Sequence, residues 1–358
     1  MKPTRIAIWG LGAMGSGIAR AVAERRDMEV VGAIDTDPAK IGRPLSEFAG
    51  NGAPGDSRVV ATLEEAMAAN PDLFVIATAS LVRDVFPRIM EVLECGKHVV
   101  TTAEEMAYPW VAEPGLCARM DEAARRKGVA VLGTGINPGF VMDLLPIALS
   151  AACADVKRVR VTRVNDLSPF GPTVLREQGV GLTVEAFRQG VASGTVEGHV
   201  GFVQSIAMVS DALGLGVDRI EQFREPIVSS VRREEKGIVV QPGMVAGCRQ
   251  TGYGYRSGEA VIEMIHPQQI HPHLEGIQTG DTIEIFGNPD IRLEIKPEIP
   301  GGTGTVALIV NSVPLVLRAR PGLLTLLDLP VPRCAAGFRK ASLEETGAGR
   351  TVLWPERN

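Results

Sequence analysis

Residues 5–15 read Arg-Ile-Ala-Ile-Trp-Gly-Leu-Gly-Ala-Met-Gly, an apolar run that closes on G-x-G-x-x-G. This spacing constrains the fold more than any other stretch. Gly10 permits the tight turn out of a first strand, Gly12 lets the backbone approach a pyrophosphate, and Gly15 lets the next helix pack closely on a sheet. A helix that starts near Ala13 aims the amides of Leu11, Ala13 and Met14, with its positive dipole end, at such a phosphate. A second apolar run, Val30 to Ile34, ends on Asp35. A carboxylate there accepts hydrogen bonds from an adenine-ribose diol, so the pattern predicts a dinucleotide site.

The remaining runs fit that start. Apolar stretches ending near Ala79, Thr102 and Gly135 alternate with helical patterns at Val82 to Cys95 and Leu116 to Lys127. Continuous apolar strands between helices imply a parallel, doubly covered sheet with right-handed crossovers. The expected class is α/β, a Rossmann doubly wound sheet followed by a second α/β domain of mixed or antiparallel sheet. Residues 1–137 are expected to form the dinucleotide-binding domain and 138–333 a substrate-binding and dimerisation domain. Residues 334–358 read as a peripheral tail. In the second domain, strands are expected at 156–165, 221–230, 261–266, 282–286 and 291–295, with helices at 141–154, 200–213 and about 304–317.

With 358 residues, the chain has room for two substantial cores. Its net charge of −5 argues against nucleic acid and anionic membranes as partners. No apolar run has the length of a membrane span, and no signal-peptide pattern opens the chain. The five cysteines are scattered and form no C-x-x-C pair, which suits a reduced, cytoplasmic protein.

Parallel sheets bind ligands beyond the C-terminal strand ends. That places Thr78, Ala79, Thr101, Glu104 and Asn137 on one rim around the nicotinamide of NAD or NADP. Thr102-x-x-Glu105 reads as a helix capping box, and Thr101-x-x-Glu104 as the same box in another register. One glutamate is thereby free for catalysis, with Glu104 favoured over Glu105. A rim carboxylate suits amine chemistry, since it attracts an ammonium, takes its proton and later activates water. In the second domain, Phe140, Arg163, Asn165, Asp166, Arg176 and His199 are the candidate substrate contacts, Arg for its bidentate grip on carboxylates. Arg249 and Gln250 are further carboxylate candidates. The run His266-Pro-Gln-Gln-Ile-His271-Pro-His273 has unhelical, proline-broken spacing and no completing Cys or carboxylate pattern, so a turn structure or a domain interface is expected and no metal.

Several segments are more discriminating than the glycine fingerprint: Ala103-Glu-Glu-Met-Ala-Tyr-Pro109, Gly133-Thr-Gly-Ile-Asn-Pro-Gly-Phe140, Arg163-Val-Asn-Asp-Leu-Ser-Pro-Phe-Gly-Pro-Thr173, Pro242-Gly-Met-Val-Ala-Gly-Cys248 and His266 to Gly276. On these the chain resembles the 2,4-diaminopentanoate dehydrogenases and, more distantly, the native amine dehydrogenases. The resemblance implies a second domain like that of dihydrodipicolinate reductase, dimerising through its sheet. It implies oxidative deamination of the C4 amine of 2,4-diaminopentanoate, an amino acid of ornithine breakdown, to 2-amino-4-oxopentanoate. It puts the essential rim glutamate on the Glu104-Glu105 pair and a Gly-His-x-Gly motif on His199. Asp35 favours NAD, while Lys40 or Arg43 could serve a 2′-phosphate. A dehydrogenase or reductive aminase for carboxylate-free amines is the alternative, and a non-catalytic nucleotide sensor is the alternative of another class. Dihydrodipicolinate reductase itself would call for a His-His pair, and this sequence has no adjacent histidines.

Overall fold

The apolar runs of the first lobe become strands shielded on both faces. Ile6, Ile8, Leu73, Val75, Val99 and Val131 are all fully buried. The computed structural model describes residues 2–50 and 57–335, so nearly all of the tail expected at 334–358 lies outside the described residues. In chain order the first lobe comprises β1 (Thr4–Trp9), α1 (Ala13–Ala23), β2 (Met28–Ile34), α2 (Ser46–Ala49), β3 (Val59–Val60), α3 (Leu63–Met67), β4 (Leu73–Ile76), α4 (Val82–Glu94), β5 (His98–Thr101), α5 (Pro114–Lys127) and β6 (Ala130–Gly133). Two 3-10 turns, Glu104–Ala107 and Pro109–Val111, separate β5 from α5.

The second lobe begins with α6 (Leu144–Ser150), β7 (Asp155–Asp166), α7 (Pro172–Glu177), α8 (Val184–Ser193) and α9 (Phe202–Leu213). It continues through β8 (Arg219–Val228), β9 (Arg233–Glu235), β10 (Ile238–Val240), β11 (Val245–Arg256), β12 (Glu259–Gln269), β13 (Gly280–Asn288) and β14 (Ile291–Ile295). Then come α10 (Gly301–Val316) and β15 (Gly322–Leu324).

The first sheet runs β15-β6-β5-β4-β1-β2-β3 and is parallel throughout. The second runs β14-β13-β7-β12-β11-β8, antiparallel except where β7 meets β12. Its inner face carries Val159, Val161, Ile262 and Met264, which pack with Phe202, Ile206 and Val209 of α9.

Three expectations need correction. The second domain does not run unbroken to residue 333. Ile309, Val310, Val313 and Val316 of α10 pack with Ile18, Val22 and Leu132 of the first lobe, and β15 pairs with β6 through Gly322 and Ala130. The apolar α10 therefore covers the dinucleotide-binding sheet, and the turn at Arg320-Pro321 feeds a seventh strand into it. Strand β11 was not foreseen, because Gly247, Gly252 and Gly254 break its apolar pattern. A Cβ at Gly252 would lie 2.7 Å from Phe202, and one at Gly254 would lie 2.8 Å from Ile206. The glycines thus let α9 press onto the strand. The box expected at Thr101 or Thr102 does not form, since Ala103 begins the 3-10 turn with no side-chain cap. The chain's own Thr-x-x-Glu box caps α3 at Thr62 and Glu65 instead.

Candidate active site

The loop from β1 into α1 has the form that a pyrophosphate requires. Gly10 adopts φ +95°, and a Cβ there would lie 2.6 Å from the Ala77 carbonyl and 2.8 Å from Thr78 Cγ2. At Gly15 a Cβ would fall 1.7 Å from the Gly10 carbonyl, whereas at Gly12 it would meet nothing within 4 Å. Gly12 therefore leaves its space to a ligand. No side chain caps α1, so the amides of its first turn, including Ala13, Met14 and Gly15, are free to meet an anion. Asp35, 7% exposed, ends β2 beside this loop. Its carboxylate accepts from the Leu11 amide at 2.7 Å, the Asp37 amide at 2.9 Å and Lys40 Nζ at 3.0 Å. Burial opposes its charge, yet those amides and the Lys40 ammonium prevail and hold the carboxyl below the usual aspartate range. The residues fit a dinucleotide.

Thr78 and Ala79 follow β4 at the rim, with Thr78 exposed above Gly10. Thr101 requires correction. It is fully buried, and its hydroxyl donates to the Ile76 carbonyl at 2.9 Å and accepts from the Ala103 amide at 3.2 Å. It shapes the rim from beneath and offers nothing to a ligand.

The adjacent glutamates have different surroundings. Glu105 Oε2 accepts from the Val82 amide at 2.8 Å, which caps the N-terminus of α4, and the Glu105 amide donates to the Ser80 carbonyl at 3.1 Å. The Glu104 carboxyl is hydrogen-bonded to the Ser80 side chain and to its own backbone, yet burial pushes it upward, with the charges of Glu177 and Glu105 adding to that push. Glu177 belongs to α7 of the other lobe, so Glu104 feels a charge from across the lobe boundary. Between the lobes lies a space of about 480 Å³, lined by Leu81, Arg83 and Glu105 on one side and by His199, Gln204 and Arg224 on the other.

His199 borders this cleft. Its Nε2 donates to the Asn137 carbonyl at 3.1 Å, which leaves Nδ1 as an acceptor. Burial, with the Arg163 charge adding to it, pushes the imidazole down to about 4. His266 meets His199 edge-to-face, with ring centroids 5.0 Å apart. Gln250, proposed above as a carboxylate ligand, instead grips the backbone. Its Oε1 accepts from the His199 amide at 2.7 Å, and its Nε2 donates to the His199 carbonyl at 3.0 Å. Asn137 keeps its Nδ2 buried without a hydrogen-bond partner at the rim. Asp143 secures the loop after it, accepting from the Gly139 amide and the Ser205 hydroxyl at 2.7 and 2.8 Å.

Other second-lobe candidates are corrected by their partners. Arg163 is 2% exposed, paired with Asp281 at 2.5 Å and donating to the Ile299 carbonyl at 2.7 Å. Both ends of its fork are thus occupied, and it builds the lobe. Asp166 Oδ1 accepts from the Ser168 amide and hydroxyl and from the His271 amide, which ties a turn together. Phe140 packs into both main cores. Arg176 is exposed and reaches Thr173, and Arg249 is also exposed. Asn165 is buried, with Oδ1 unpartnered.

The run from His266 to His273 is not a turn throughout, since 266–269 end strand β12 and the chain turns only at His271 into a 3-10 helix, Pro272–Glu275. There His271 and His273 meet Asp166, a carboxylate from outside the run, with ligand atoms within 4.8 Å of one another. Both ring nitrogens of His271 are engaged, Nδ1 with Ser168 Oγ and Nε2 with the Glu234 carbonyl. Sequence reasoning missed Ser80, Glu177, Gln178 and Gln268. Glu177 and Gln178 directly follow the candidate Arg176, and Gln268 lies inside the histidine run, so proximity to those motifs was the available signal.

A family model described as 2,4-diaminopentanoate dehydrogenase C-terminal domain matches residues 140–345, and one described as dihydrodipicolinate reductase, N-terminus, matches residues 4–103. A 2,4-diaminopentanoate dehydrogenase of Acetoanaerobium sticklandii is 43% identical over 348 residues, which make up 96% of this chain and 99% of that one. An amine dehydrogenase of Streptomyces virginiae is 25% identical over 90% of this chain and 95% of its own. The solved amine dehydrogenase of Mycobacterium smegmatis gives a TM-score of 0.82 at 27% identity, covering 93% of this chain and 97% of that one.

Proposed function

The chain belongs to the 2,4-diaminopentanoate dehydrogenase family, and from that premise we propose that it oxidises the C4 amine of 2,4-diaminopentanoate. The products are 2-amino-4-oxopentanoate, ammonia and reduced nicotinamide cofactor. The observation that carries this reading is the contrast between Glu105, bound to an amide of α4, and Glu104, a carboxylate without a cation and raised by burial. Such a group suits both an ammonium and the proton that it must lose.

In this reading NAD, or NADP, would supply the hydride acceptor for C4. The amides around Gly12 would hold its pyrophosphate and Asp35 its adenine ribose, with Asn137 toward the nicotinamide end. Glu104 pairs with the C4 ammonium and takes one proton, because only the free amine can expel hydride. Once that proton has passed to solvent and the hydride has left, the regenerated carboxylate takes a proton from the water that attacks the iminium carbon and delivers it to the carbinolamine nitrogen. The C–N bond then breaks, ammonia departs, and the hydroxyl gives up its proton as the ketone forms. His199 stays neutral and offers its Nδ1 lone pair to the substrate, with its ring held by the Asn137 carbonyl and its backbone by Gln250.

We propose a cytoplasmic homodimer joined through the outer face of the second sheet. Support comes from the exposed Phe223, the Phe223–Tyr253 ring contact and the neighbouring Arg160–Glu263 pair. No helix among the described residues is long and apolar enough to cross a membrane. Light scattering would measure the assembly.

The test is cofactor reduction at alkaline pH with 2,4-diaminopentanoate and, separately, 2-aminopentane. Turnover of the diamino acid is expected. Turnover of the simple amine alone would move the chain to the carboxylate-free amine dehydrogenases.

A further inference from the structure

Asn165, Gln178 and Gln268 are 4%, 3% and 5% exposed. Each buries a side-chain polar atom that has no hydrogen-bond partner among the described residues: Asn165 Oδ1, Gln178 Oε1 and Gln268 Nε2. Buried carboxamides are normally satisfied, and orphaned ones are costly. Their placement indicates what would satisfy them. Asn165 and Gln268 are register partners on the adjacent strands β7 and β12, so their side chains leave the sheet side by side. Both follow the buried alternation of Arg163 and His266 and therefore point into the molecule. Gln268 lies two residues beyond His266, about 6.5 Å along the strand, and His266 touches His199. Gln178 comes from the end of α7. Leu175 and Val180, on either side of it, pack with Leu167, Ala246 and Ile270 over the same end of the sheet.

We propose that these three carboxamides form the subsite for the α-amino-carboxylate end of the substrate. This rests on the diamino-acid reading given above and extends it. The reacting C4 amine needs a carboxylate, and Glu104 supplies one. The C1 carboxylate and C2 ammonium are neighbours whose charges cancel, so they need donors and acceptors in fixed places more than a net charge. A carboxamide offers both. Gln268 Nε2 donates to the carboxylate, and Asn165 Oδ1 and Gln178 Oε1 accept from the ammonium. The arginine that would otherwise bind the carboxylate is committed to Asp281. Glu177, next to Gln178, adds a negative charge that favours the second ammonium.

The experiment compares Gln268→Met and Asn165→Leu with the unmodified enzyme. The first readout is the ratio of kcat/KM for 2,4-diaminopentanoate to that for 2-aminopentane, with the latter read as competitive inhibition if it is not turned over. Each variant should lower this ratio about tenfold to hundredfold, mainly through KM for the diamino acid. The second readout is thermal stability without substrate, which should hold or rise, because the replaced groups make no bonds there. A ratio that does not move, or a melting point that falls together with both activities, would overturn the subsite and assign the amides to the core. If the unmodified enzyme oxidises 2-aminopentane and not the diamino acid, the functional reading itself fails and takes the subsite with it.

Discussion

The Val82 amide donates to Glu105 Oε2 at 2.8 Å, so the residue beside Glu104 is bound to the start of α4. Two neighbouring carboxylates are thereby separated into one that caps a helix at the cleft wall and one buried behind it without a cation. Replacing each with glutamine should separate the same two roles. Glu104→Gln should lower kcat by about 10²–10⁴ with the fold intact. Glu105→Gln should retain most activity and lose about 1 kcal/mol of stability as a weakened cap. Steady-state rates and urea unfolding of both variants decide it, and the opposite pattern would reverse the assignment.

Glu104 also makes a prediction about pH. Its folded carboxyl is raised, chiefly by burial, so the folded state binds that proton more tightly than the unfolded chain does. Its stabilising contribution is present below the unfolded value of about 4.3 and is lost as pH rises through the folded value. At pH 8 Glu104→Gln should therefore melt higher than the unmodified protein, and near pH 4 the gain should vanish. The acid limb of kcat/KM in the unmodified enzyme should lie above 4.3 for the same reason.

The histidines carry the opposite sign. Burial lowers His199 to about 4 and His266 well below its ordinary value, so the unfolded chain takes up protons first. The stability they contribute is complete above about pH 6.5 and is lost as pH falls toward 4. For His199 this amounts to roughly 2–3 kcal/mol across the window. His199→Gln should flatten urea-unfolding stability between pH 7 and 5, and an unchanged slope would place the loss elsewhere.

Gly12 and Gly15 should respond differently to alanine. Gly15→Ala forces a Cβ to 1.7 Å from the Gly10 carbonyl and should cost several kcal/mol or prevent folding. Gly12→Ala meets no protein atom within 4 Å, so it should melt normally while KM for the cofactor rises about tenfold or more. Melting curves and cofactor titrations of the two variants test this directly.

Asp35 and Lys40 form a pair at the ribose end, 3.0 Å apart. Asp35→Ala removes the acceptor of the Leu11 amide and frees the Lys40 ammonium. KM for NAD should rise about tenfold or more, and the NADP-to-NAD ratio of kcat/KM should shift toward NADP. Lys40→Ala in the same background should reverse the second effect.

What could be read from the chain follows from range along it. The glycine loop, Asp35 and the parallel strands are local signals, in which turn geometry and burial are written within about thirty residues. Glu104 was legible because a rim position and an adjacent pair of carboxylates sit in one segment. Which of the two was free depended on the Val82 amide, 23 residues away in sequence. Arg163 misled for the same reason, since its partner Asp281 is 118 residues distant. Strand β11 was hidden by glycines that make sense only once α9 lies on them. Gln268 sits inside the histidine run, but nothing local singles it out until β7 places Asn165 beside it.

The return of β15 to the edge of β6 makes the nucleotide lobe discontinuous in the gene, with the substrate lobe spliced into it as an insert. A fragment ending at residue 137 would lack α10 and the seventh strand, leaving Leu132 and Ile18 without the cover that Ile309 and Val313 provide. Nucleotide lobe and insert should therefore be truncated and engineered as one unit. A clean exchange of specificity between relatives calls for two crossover points, one near Asn137 and one just before Gly301.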